Sequence, residues 1–397
     1  MKKIGIICEY NPFHSGHAHQ IETVRRAESD AAIICLMSGH ATQRGALAVA
    51  DKYTRAEMAL SCGADIVLEL PYPYSAASAS YFAGAGVAIL DALGADGLCF
   101  GSECADLDLL EQAAAITASP DFHAGVSARQ RNGEGSASAY FEELRRSLQD
   151  NSWQLLANDI LAVEYVRAIR VLQSTMQPMP IKRDGVAYGA HRLEEGRHPS
   201  ATALREQLHR GNVNESLRYI PISARDVLKK AVERQKAPVS MGRLDAAVLA
   251  FFRLHAPQEI AEIAEMQGGL AYRLCTAARE STSYAELLTK ASSKSYPTAR
   301  LRRAILFAMT GVREADLRTP PAYLSLLGAN ARGRELLRIW KGDSPISVFA
   351  KFADAANFSP AAQRQAELSM ALDSLITLAQ PLPCAADTWI KIPPVMK

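Results

Sequence analysis

The chain has 397 residues, of which 48% are hydrophobic and 22% are charged, and its net charge is +2. This composition is typical of a globular protein and excludes the disordered, collagen-like and disulfide-scaffold classes. At about 100–200 residues per domain, the length predicts two or three domains. No apolar run approaches the roughly 20 residues that span a bilayer, and the apolar stretch after Lys2 and Lys3 is too short for a signal peptide. We therefore expect a cytoplasmic protein without a membrane partner.

Short apolar runs alternate with helical patterns through the first half of the chain. Strands are predicted at residues 3–8, 31–37, 65–70, 97–100 and 179–183, and helices at 17–27, 52–61, 78–93, 106–118, 136–149, 158–172 and from Ser200 onward. Apolar strands that are separated by helices favour parallel pairing, with both faces of the sheet covered. We therefore predict an α/β domain over residues 1–218, built on a doubly wound parallel sheet.

The strand signals stop near Tyr219. Helices are predicted at residues 226–234, 242–254, 258–265, 284–290, 298–309 and 333–340, and prolines such as Pro297 and Pro320 punctuate this part of the chain. We predict a second, all-α domain over residues 219–397. No internal repeat or low-complexity tract interrupts either part.

Charge is shared unevenly between the two parts. The window from Leu270 to Lys341 contains 13 Lys and Arg against five Asp and Glu, a net charge of +8, so the remainder of this +2 chain carries −6. Such an asymmetry favours a polyanion partner for the helical part. The alternative interpretation is a solvated helix face.

The seven cysteines are odd in number and form no C-x-x-C pair. This pattern argues against both a disulfide framework and a zinc site. Cys8, Cys35 and Cys99 lie in apolar strand-like runs, where a thiol acts as a small hydrophobic group. We expect the cysteines to be structural and chemically inert.

The sharpest chemical feature follows the first predicted strand and reads Glu9-Tyr10-Asn11-Pro12-Phe13-His14-Ser15-Gly16-His17. Its H-x-G-H element opens the first predicted helix at the carboxyl edge of the sheet, where ligands bind in open α/β folds. Gly16 lets a ligand approach the backbone, and the N–H groups of a helix N-terminus favour anions. Two imidazoles three residues apart can hydrogen-bond neighbouring phosphate oxygens. The pattern favours stabilisation of charge on an α-phosphate during nucleotidyl transfer.

Two other interpretations of the histidines stay open. His14, His17 and His19 could be metal ligands, but no cysteine stands nearby and the nearest downstream carboxylate, Glu22, is on the same helix. They could also be unrelated surface or core histidines, although the strand–turn–helix context argues against that interpretation. We predict no metal site in the protein itself.

The sequence around this motif resembles the bacterial tRNA(Met) cytidine acetate ligases of the HIGH-type nucleotidyltransferase superfamily. The resemblance begins at Gly5 and is carried along most of the chain by ordered segments: Met37-Ser38-Gly39-His40, Gln43-Arg44-Gly45, residues 65–71, Phe100-Gly101-Ser102-Glu103, residues 158–165, Ile181-Lys182-Arg183, residues 200–205, 296–303 and 323–341. The resemblance implies a Rossmann-like α/β fold followed by a helical domain that binds tRNA.

The resemblance also implies a function. We expect an ATP-dependent enzyme that activates acetate as acetyl-adenylate and acetylates N4 of the wobble cytidine in elongator tRNA(Met). ATP, with Mg²⁺ on its triphosphate, acetate and this tRNA are the expected ligands, and no DNA partner is expected. A small-molecule adenylyltransferase and a non-catalytic RNA-binding protein with an ATP-binding fold are the alternatives.

The family's nucleotide-binding positions map onto specific residues. ATP contacts are expected from Ile7, Cys8, Glu9, Tyr10, Asn11, Pro12, Phe13, His14, Ser15, Gly16, His17, Ala18, His19 and Gln20, and further from Gly101, Asn158, Lys182, Arg183, Ser200, Thr202 and Arg205. His14 and His17 are the expected catalytic residues. Simpler roles remain for some of these residues: Gly101 could serve a turn, Asn158 and Ser200 could cap helices, and Arg183 could be a surface charge.

A basic stretch in the helical part is the expected tRNA contact. It contains Lys294, Arg300, Arg302 and Arg303. Residues 290–295 loosely echo the K-M-S-K-S loop of aminoacyl-tRNA synthetases, but they lie far from the sheet pattern. The opening of the helix at Ser200 already fills the role of that loop, so we interpret Lys294 as part of an RNA-facing surface.

Overall fold

The computed structural model describes residues 1–132, 134–148, 153, 156–183, 193, 198–343, 346–350 and 357–397. Its centre is a single mixed sheet with helices on both faces. The strands are β1 (Lys3–Cys8), β2 (Ala32–Ser38), β3 (Ile66–Leu70), β4 (Gly97–Ser102), β5 (Gln177–Lys182), β6 (Tyr323–Ala329), β7 (Ser347–Phe349) and β8 (Val395–Met396). The predicted doubly wound α/β fold is confirmed.

The helices of the first part are α1 (Ser15–Ala27), α2 (Lys52–Ser61), α3 (Ala79–Ala92), α4 (Leu107–Thr117), α5 (Pro120–Arg131), α6 (Ser136–Leu148), α7 (Ala157–Val171), α8 (Ala201–His209) and α9 (Val213–Leu217). Those of the second part are α10 (Ile222–Glu233), α11 (Asp245–Leu254), α12 (Leu270–Arg279), α13 (Tyr284–Ala291), α14 (Thr298–Thr310), α15 (Glu314–Arg318), α16 (Ala331–Asp343) and α17 (Pro360–Ala379). Residue 149, predicted as the end of one helix, lies outside the described residues.

The strand order places the H-x-G-H element next to the gap between the ends of β1 and β4. It runs β5-β4-β1-β2-β3-β6-β7, and β8 pairs with β6. The chain leaves β1 toward β2 and β3 on one side, and returns to β4 and β5 on the other, with parallel pairing throughout these five strands. Ligands bind at the carboxyl ends of the strands where the winding direction changes. The residues after Cys8 and after Phe100 meet at this point.

Each face of the sheet is buried against its own set of helices. Along β1 and β2, Ile6 and Cys35 belong to one hydrophobic cluster and Ile7 and Ile34 to the other. Every residue of β2 is buried, as expected for a central strand covered on both faces. The alternation fixes the register, because a shift by one residue would exchange the two faces.

The prediction that residues 219–397 are all-α is wrong. Residues 323–329 form β6, which pairs antiparallel with β3, and all seven of its residues are buried. β7 and β8 then pair with β6. A continuous run of seven largely apolar residues is long enough for a buried strand. The sheet therefore takes strands from both sides of the boundary predicted after residue 218, and that boundary stays a prediction.

The predicted helix at residues 258–265 is also wrong. This segment contains turns, an isolated bridge between Ile263 and Arg313, and a left-handed Glu265 with φ of 69°. The other helices predicted after Tyr219 correspond to α10, α11, α13, α14 and α16, with shifts of a few residues at their ends. Among the described residues, no helix combines the length and the apolar content needed to cross a bilayer.

Candidate functional site

The H-x-G-H element forms the N-terminus of α1. His14 is the N-cap residue: its Nδ1 accepts a hydrogen bond from the Gly16 N–H over 3.1 Å. The His14 N–H in turn donates to Nδ1 of His17 over 3.2 Å. This reciprocal pairing is a capping box in which both side chains are imidazoles. The same contacts that start the helix therefore fix the orientation of both rings.

The two rings are stacked on each other. Their centroids are 3.7 Å apart with an interplanar angle of 27°. Tyr10 and Phe13, both buried, pack against His17 at centroid distances of 4.9 and 5.6 Å. Because each Nδ1 accepts a backbone N–H, the proton of each neutral ring lies on Nε2. The pair can therefore offer two N–H donors side by side.

Both imidazoles are neutral at pH 7. Burial, together with the positive charge of Arg183 and the nearby His198, lowers the pKa of His17 to about 3. Burial also holds the pKa of His14 well below its usual value, with His17 and Arg183 adding to the effect. A basic group that is desolvated and lies near cations favours its uncharged form. The rings are therefore hydrogen-bond donors and not cations.

A buried arginine, Arg55 on α2, hydrogen-bonds to the backbone at the start of the loop. Its guanidinium donates to the carbonyl oxygens of Glu9, Ser38 and Ala50 over 2.7, 2.9 and 3.0 Å, and also to that of Gly39. The side chain is fully buried, and burial lowers its pKa to about 10. Arg55 thus joins the carboxyl ends of β1 and β2. The sequence analysis missed this residue, because nothing in its local pattern distinguishes it from a surface arginine.

Two side chains of the loop bind the segment between β2 and α2. Oε1 of Glu9 accepts the Gln43 N–H over 2.8 Å, and Oδ1 of Asn11 accepts the Val49 N–H over 2.7 Å. Among the expected ATP contacts, Ile7 and Cys8 belong to the buried strand β1, while Ala18, His19 and Gln20 lie within α1. Gln20 donates to the carbonyl of Cys99 on β4 over 3.3 Å. The side chains of Glu9 and Asn11 therefore hold the loop against the segment between β2 and α2.

The end of β4 is tied to the start of α7. Oδ1 of Asp159 accepts the Ser102 hydroxyl over 2.6 Å and the Glu103 N–H over 2.9 Å. The Glu103 carboxylate in turn accepts the side-chain N–H of Asn158 over 2.5 Å and the Asp159 N–H over 3.0 Å. A carboxylate at a helix N-terminus is favourably placed. Asn158 is thus fixed by Glu103, which the sequence analysis did not single out as a partner.

Gly101, Asn158 and Arg183 meet at the edge next to β1. A Cβ on Gly101 would approach Cγ of Arg183 at 3.3 Å, so the glycine lets the arginine stem lie across the strand end. The Arg183 guanidinium donates to Oδ1 of Asn158 over 3.3 Å. Lys182, the last residue of β5, is exposed beside it. The structure therefore brings these four predicted residues together on one side of the histidine pair.

The start of α8 also contacts the loop. Ser200 caps α8 by accepting the Ala203 N–H over 3.0 Å, which is the capping role that the sequence left open. Arg205 donates to Thr202 Oγ1 over 3.0 Å and to the carbonyl of Asn11 over 2.8 Å. Arg205 also contributes to the lowered pKa of His14. Arg205, which also bonds Thr202, therefore joins the start of α8 to the H-x-G-H loop.

His198, just before α8, is a site residue that sequence reasoning missed. Its Nδ1 lies 3.0 Å from the Ser15 hydroxyl, and its ring is stacked on that of His19 at 5.4 Å. A Cβ on Gly16 would lie 3.0 Å from Cε1 of His14 and 3.4 Å from Cβ of His198, so Gly16 leaves room mainly for the His14 ring. A histidine two residues before the Ser200 cap was the only signal in the sequence.

The predicted tRNA stretch forms a separate surface. Arg300 and Arg303 both pair with Glu265, at 3.5 and 2.7 Å, while Lys294 is exposed and Arg302 is half-buried. Residues 43–45 pack against the same helix: a Cβ on Gly45 would lie 2.4 Å from the Arg303 backbone nitrogen. Since the Gln43 N–H binds Glu9, this short segment joins the H-x-G-H loop to α14.

A buried ionic cluster lies at the carboxyl ends of β2 and β3. The Lys52 ammonium bonds both carboxylate oxygens of Glu69, at 3.1 and 3.0 Å, and Oδ2 of Asp373 at 2.9 Å. Nδ1 of His40 contacts Oδ1 of Asp373 at 2.7 Å, and all four side chains are buried. Asp373 belongs to α17, so the cluster fixes a C-terminal helix to the ends of β2 and β3. No local pattern in the sequence indicated it.

The donor set around the site does not resemble a metal centre. Within the described ranges, no group of three or more His, Cys, Asp and Glu side chains is arranged to hold a metal ion. Both Nδ1 atoms of the histidine pair already accept backbone N–H groups. Burial raises the pKa of the Cys8 and Cys99 thiols, which keeps them protonated.

The chain was compared with known proteins. A family model of the HIGH nucleotidyl transferases matches residues 1–387. The chain is 32% identical over 377 residues to a tRNA(Met) cytidine acetate ligase of Clostridium perfringens, covering 90% of this chain and 92% of that protein. It is 35% identical over 347 residues to a protein of the same name from Syntrophotalea carbinolica, covering 85% of this chain and 82% of the relative.

Solved structures agree with these relatives. The apo crystal structure of Thermotoga maritima TmcAL matches with a TM-score of 0.93 at 28% identity, over 100% of this chain and 99% of that one. The same protein bound with α-thio-ATP matches with a TM-score of 0.91 at 27% identity, with the same coverage. With its H-x-G-H loop at the β1–β4 switch point, the chain therefore belongs to the tRNA(Met) cytidine acetate ligase family, enzymes of the HIGH nucleotidyltransferase class.

Proposed function

We propose that this enzyme activates acetate with ATP and transfers the acetyl group to N4 of the wobble cytidine of elongator tRNA(Met). The observation that carries the proposal is the neutral, stacked pair of His14 and His17 at the N-terminus of α1, with Arg183 and Arg205 close enough to lower the pKa of His14. The relatives named as tRNA(Met) cytidine acetate ligases support the choice of substrates, and the α-thio-ATP complex of the Thermotoga protein supports the nucleotide.

In the first step, an acetate oxygen attacks the α-phosphorus of ATP, and the bond to the pyrophosphate oxygen breaks. Negative charge grows on the α-phosphate oxygens and on the leaving group. The Nε2–H groups of His14 and His17 would donate to the α-phosphate, where fixed donors in a desolvated site stabilise such charge. Arg183 and Arg205 would take the β- and γ-phosphates, since a guanidinium suits phosphate geometry.

In the second step, N4 of cytidine attacks the acetyl carbonyl carbon. The C–O bond to AMP breaks, AMP leaves with the bonding electrons, and the amine loses one proton. No side chain needs to carry the acyl group, so the site would act by proximity and by charge stabilisation. The base must leave its stack to reach the acyl group, which suits a loop nucleotide.

Mg²⁺ is the expected ion on the triphosphate. Phosphate oxygens and water complete most of its coordination in nucleotide sites, which fits a chain whose described residues form no carboxylate cage. Its contribution would be to neutralise phosphate charge. The cytoplasm, where tRNA and ATP are available, is the proposed location.

Acetate-dependent ATP–pyrophosphate exchange tests this proposal. We expect exchange that requires acetate and is lost in His14→Ala; an enzyme silent without RNA is assayed again with elongator tRNA(Met). Exchange absent in both formats would refute the proposal and would favour a non-catalytic RNA-binding protein. Exchange by a wild type that fails to retain tRNA on filters at low salt would favour a small-molecule adenylyltransferase.

A further inference from the structure

An open groove lies on the helical part, outside the H-x-G-H site. Its volume is about 470 Å³, and its lining includes Tyr272 and Arg273 on α12, Lys290 on α13 and Tyr296 in the loop before α14. Glu280 lines it as well. We refer to it as the tyrosine groove. A volume of this size is in the range of small-ligand sites.

The aromatic groups of the groove are held in place by the protein. Tyr272 is 56% exposed, an unusual degree for a tyrosine, and its hydroxyl accepts a hydrogen bond from Gln258 over 2.7 Å. The Tyr296 hydroxyl donates to the carbonyl of Gly268. The Arg273 guanidinium carbon lies 5.7 Å from the centre of the Tyr296 ring, and its N–H groups bond the carbonyls at the end of α13. These contacts give both tyrosine hydroxyls a protein partner, while the Tyr272 ring remains exposed to solvent.

The groove is continuous with the basic stretch. The Arg300 guanidinium carbon lies 5.2 Å from the centre of the same Tyr296 ring. Lys294 is exposed two residues before Tyr296. Tyr296 thus stands between the groove and the cations expected to meet RNA. The surrounding window, Leu270 to Lys341, carries 13 basic against five acidic residues, which is complementary to a polyanion.

We propose that the tyrosine groove binds an unstacked nucleotide of the RNA substrate, with its base on Tyr272 and its flanking phosphates toward Lys290 and Lys294. This proposal rests on the proposed function, because that function supplies the RNA. Exposed aromatic rings next to cations are the usual platform for single-stranded nucleic acid. The Glu280 carboxylate would accept a hydrogen bond from an exocyclic amino group of the base.

Filter binding with an elongator tRNA(Met) transcript tests the proposal. Tyr272→Ala should weaken binding about tenfold or more, because stacking on one aromatic ring contributes that much to single-strand affinity. Tyr272→Phe and Tyr272→Trp keep a stacking face and should bind within about threefold of wild type. Ile222→Ala, at a side chain that is 81% exposed on α10, is the control truncation and should bind like wild type.

Nitration of exposed tyrosines provides a second measurement on the unaltered protein. Saturating tRNA should protect Tyr272 from tetranitromethane. Wild-type affinity of Tyr272→Ala, together with undiminished nitration in the complex, would overturn the groove proposal while leaving the proposed function intact. A wild-type protein that retains no tRNA at low salt would overturn both.

Discussion

The H-x-G-H loop and the basic stretch around Lys294 differ in how their polar groups are held. His14 and Arg55 are 5% and 0% exposed, and the loop's polar atoms are bound to other parts of the protein. Lys294 is exposed, and the nearby Arg300 and Arg303 share one partner, Glu265. Short hydrogen bonds between buried groups depend little on salt, whereas exposed charges act at longer range and are screened. We infer that the first region provides geometry for chemistry and the second provides attraction for RNA.

The largest effect is expected from His14. His14→Ala and His14→Asn both remove the Nε2–H donor and should slow acetate-dependent exchange by about 10²–10³-fold. Asn is a good N-cap, so His14→Asn should keep the stability of α1, whereas His14→Ala should lose about 1 kcal/mol. Urea unfolding measures the stability. Exchange restored by Asn would mean that His14 matters only as a cap.

Buried charge pairs should contribute more to the free energy of unfolding than exposed pairs, and the buried ionic cluster tests this. Asp373→Asn removes the buried carboxylate that contacts His40 and one of the two that contact Lys52, and it should lower the free energy of unfolding by about 3–5 kcal/mol. The matched control is Asp387→Asn, which breaks an exposed pair with Lys391 and should cost at most about 1 kcal/mol. Equal losses in urea unfolding at pH 7 would contradict the account.

The loss of stability in Asp373→Asn should depend on pH. Burial opposes ionisation of Asp373, but Lys52 and His40 outweigh it and lower the pKa of this carboxyl below its usual range. A carboxyl whose pKa is lowered by folding stabilises above its unfolded pKa, and this contribution is lost as the pH falls through the folded pKa. The stability gap between wild type and Asp373→Asn should therefore narrow in acid.

Arg55→Lys tests whether the hydrogen bonds of Arg55 position the H-x-G-H loop. A lysine keeps the positive charge but has three donors, so it cannot satisfy all four carbonyls and should raise the KM for ATP about tenfold. Arg26→Lys, on an exposed side chain of α1, is the control. A purely structural role would lower the melting temperature and leave the KM of the folded enzyme unchanged.

Lys294→Gln should have a smaller effect, of the kind expected for exposed charge. Affinity for tRNA should fall a few-fold, and the slope of log Kd against log salt should decrease by about 0.7–0.9. The control is Lys391→Gln, an exposed lysine whose ammonium pairs with Asp387. An unchanged salt slope would remove Lys294 from the RNA surface.

A further prediction concerns pH and the histidine pair. Folding lowers the pKa of His17 from 6.5 to about 3, so its contribution to stability is complete above pH 6.5 and is lost as the pH falls toward 3. His17→Gln should flatten the stability profile in that window. In the wild type, exchange should show no inflection near pH 6.5 from this pair, because both rings stay neutral. A wild-type inflection that His17→Gln removes would contradict their neutrality.

Sequence reasoning succeeded where the signals are local. The apolar runs predicted β1 to β5, and the H-x-G-H element was placed correctly at the start of α1, because strand burial and capping depend on neighbouring residues. The resemblance to the acetate ligases was confirmed by the relatives. The residues expected at the nucleotide site converge around the switch point between β1 and β4, although their contacts with ATP stay a prediction.

The failures share a physical cause, which is contact between distant parts of the chain. β6 pairs with β3 about 260 residues upstream, and Asp373 meets Lys52 across a separation of 321 residues. In the sequence, Arg55 is indistinguishable from an ordinary helical cation. Its partners, the carbonyls of three segments, come together only in the folded protein. The run 323–329 did carry a strand signal, since it is apolar and of strand length.

The central claim is best tested by the complete reaction. Wild-type protein is incubated with ATP, labelled acetate and elongator tRNA(Met), and the digested RNA is analysed for N4-acetylcytidine. The account predicts label in one acetylated wobble cytidine per tRNA, dependent on ATP and lost in His14→Asn. Label that is absent from cytidine while acetate-dependent exchange is present would contradict the account and would point to another acceptor.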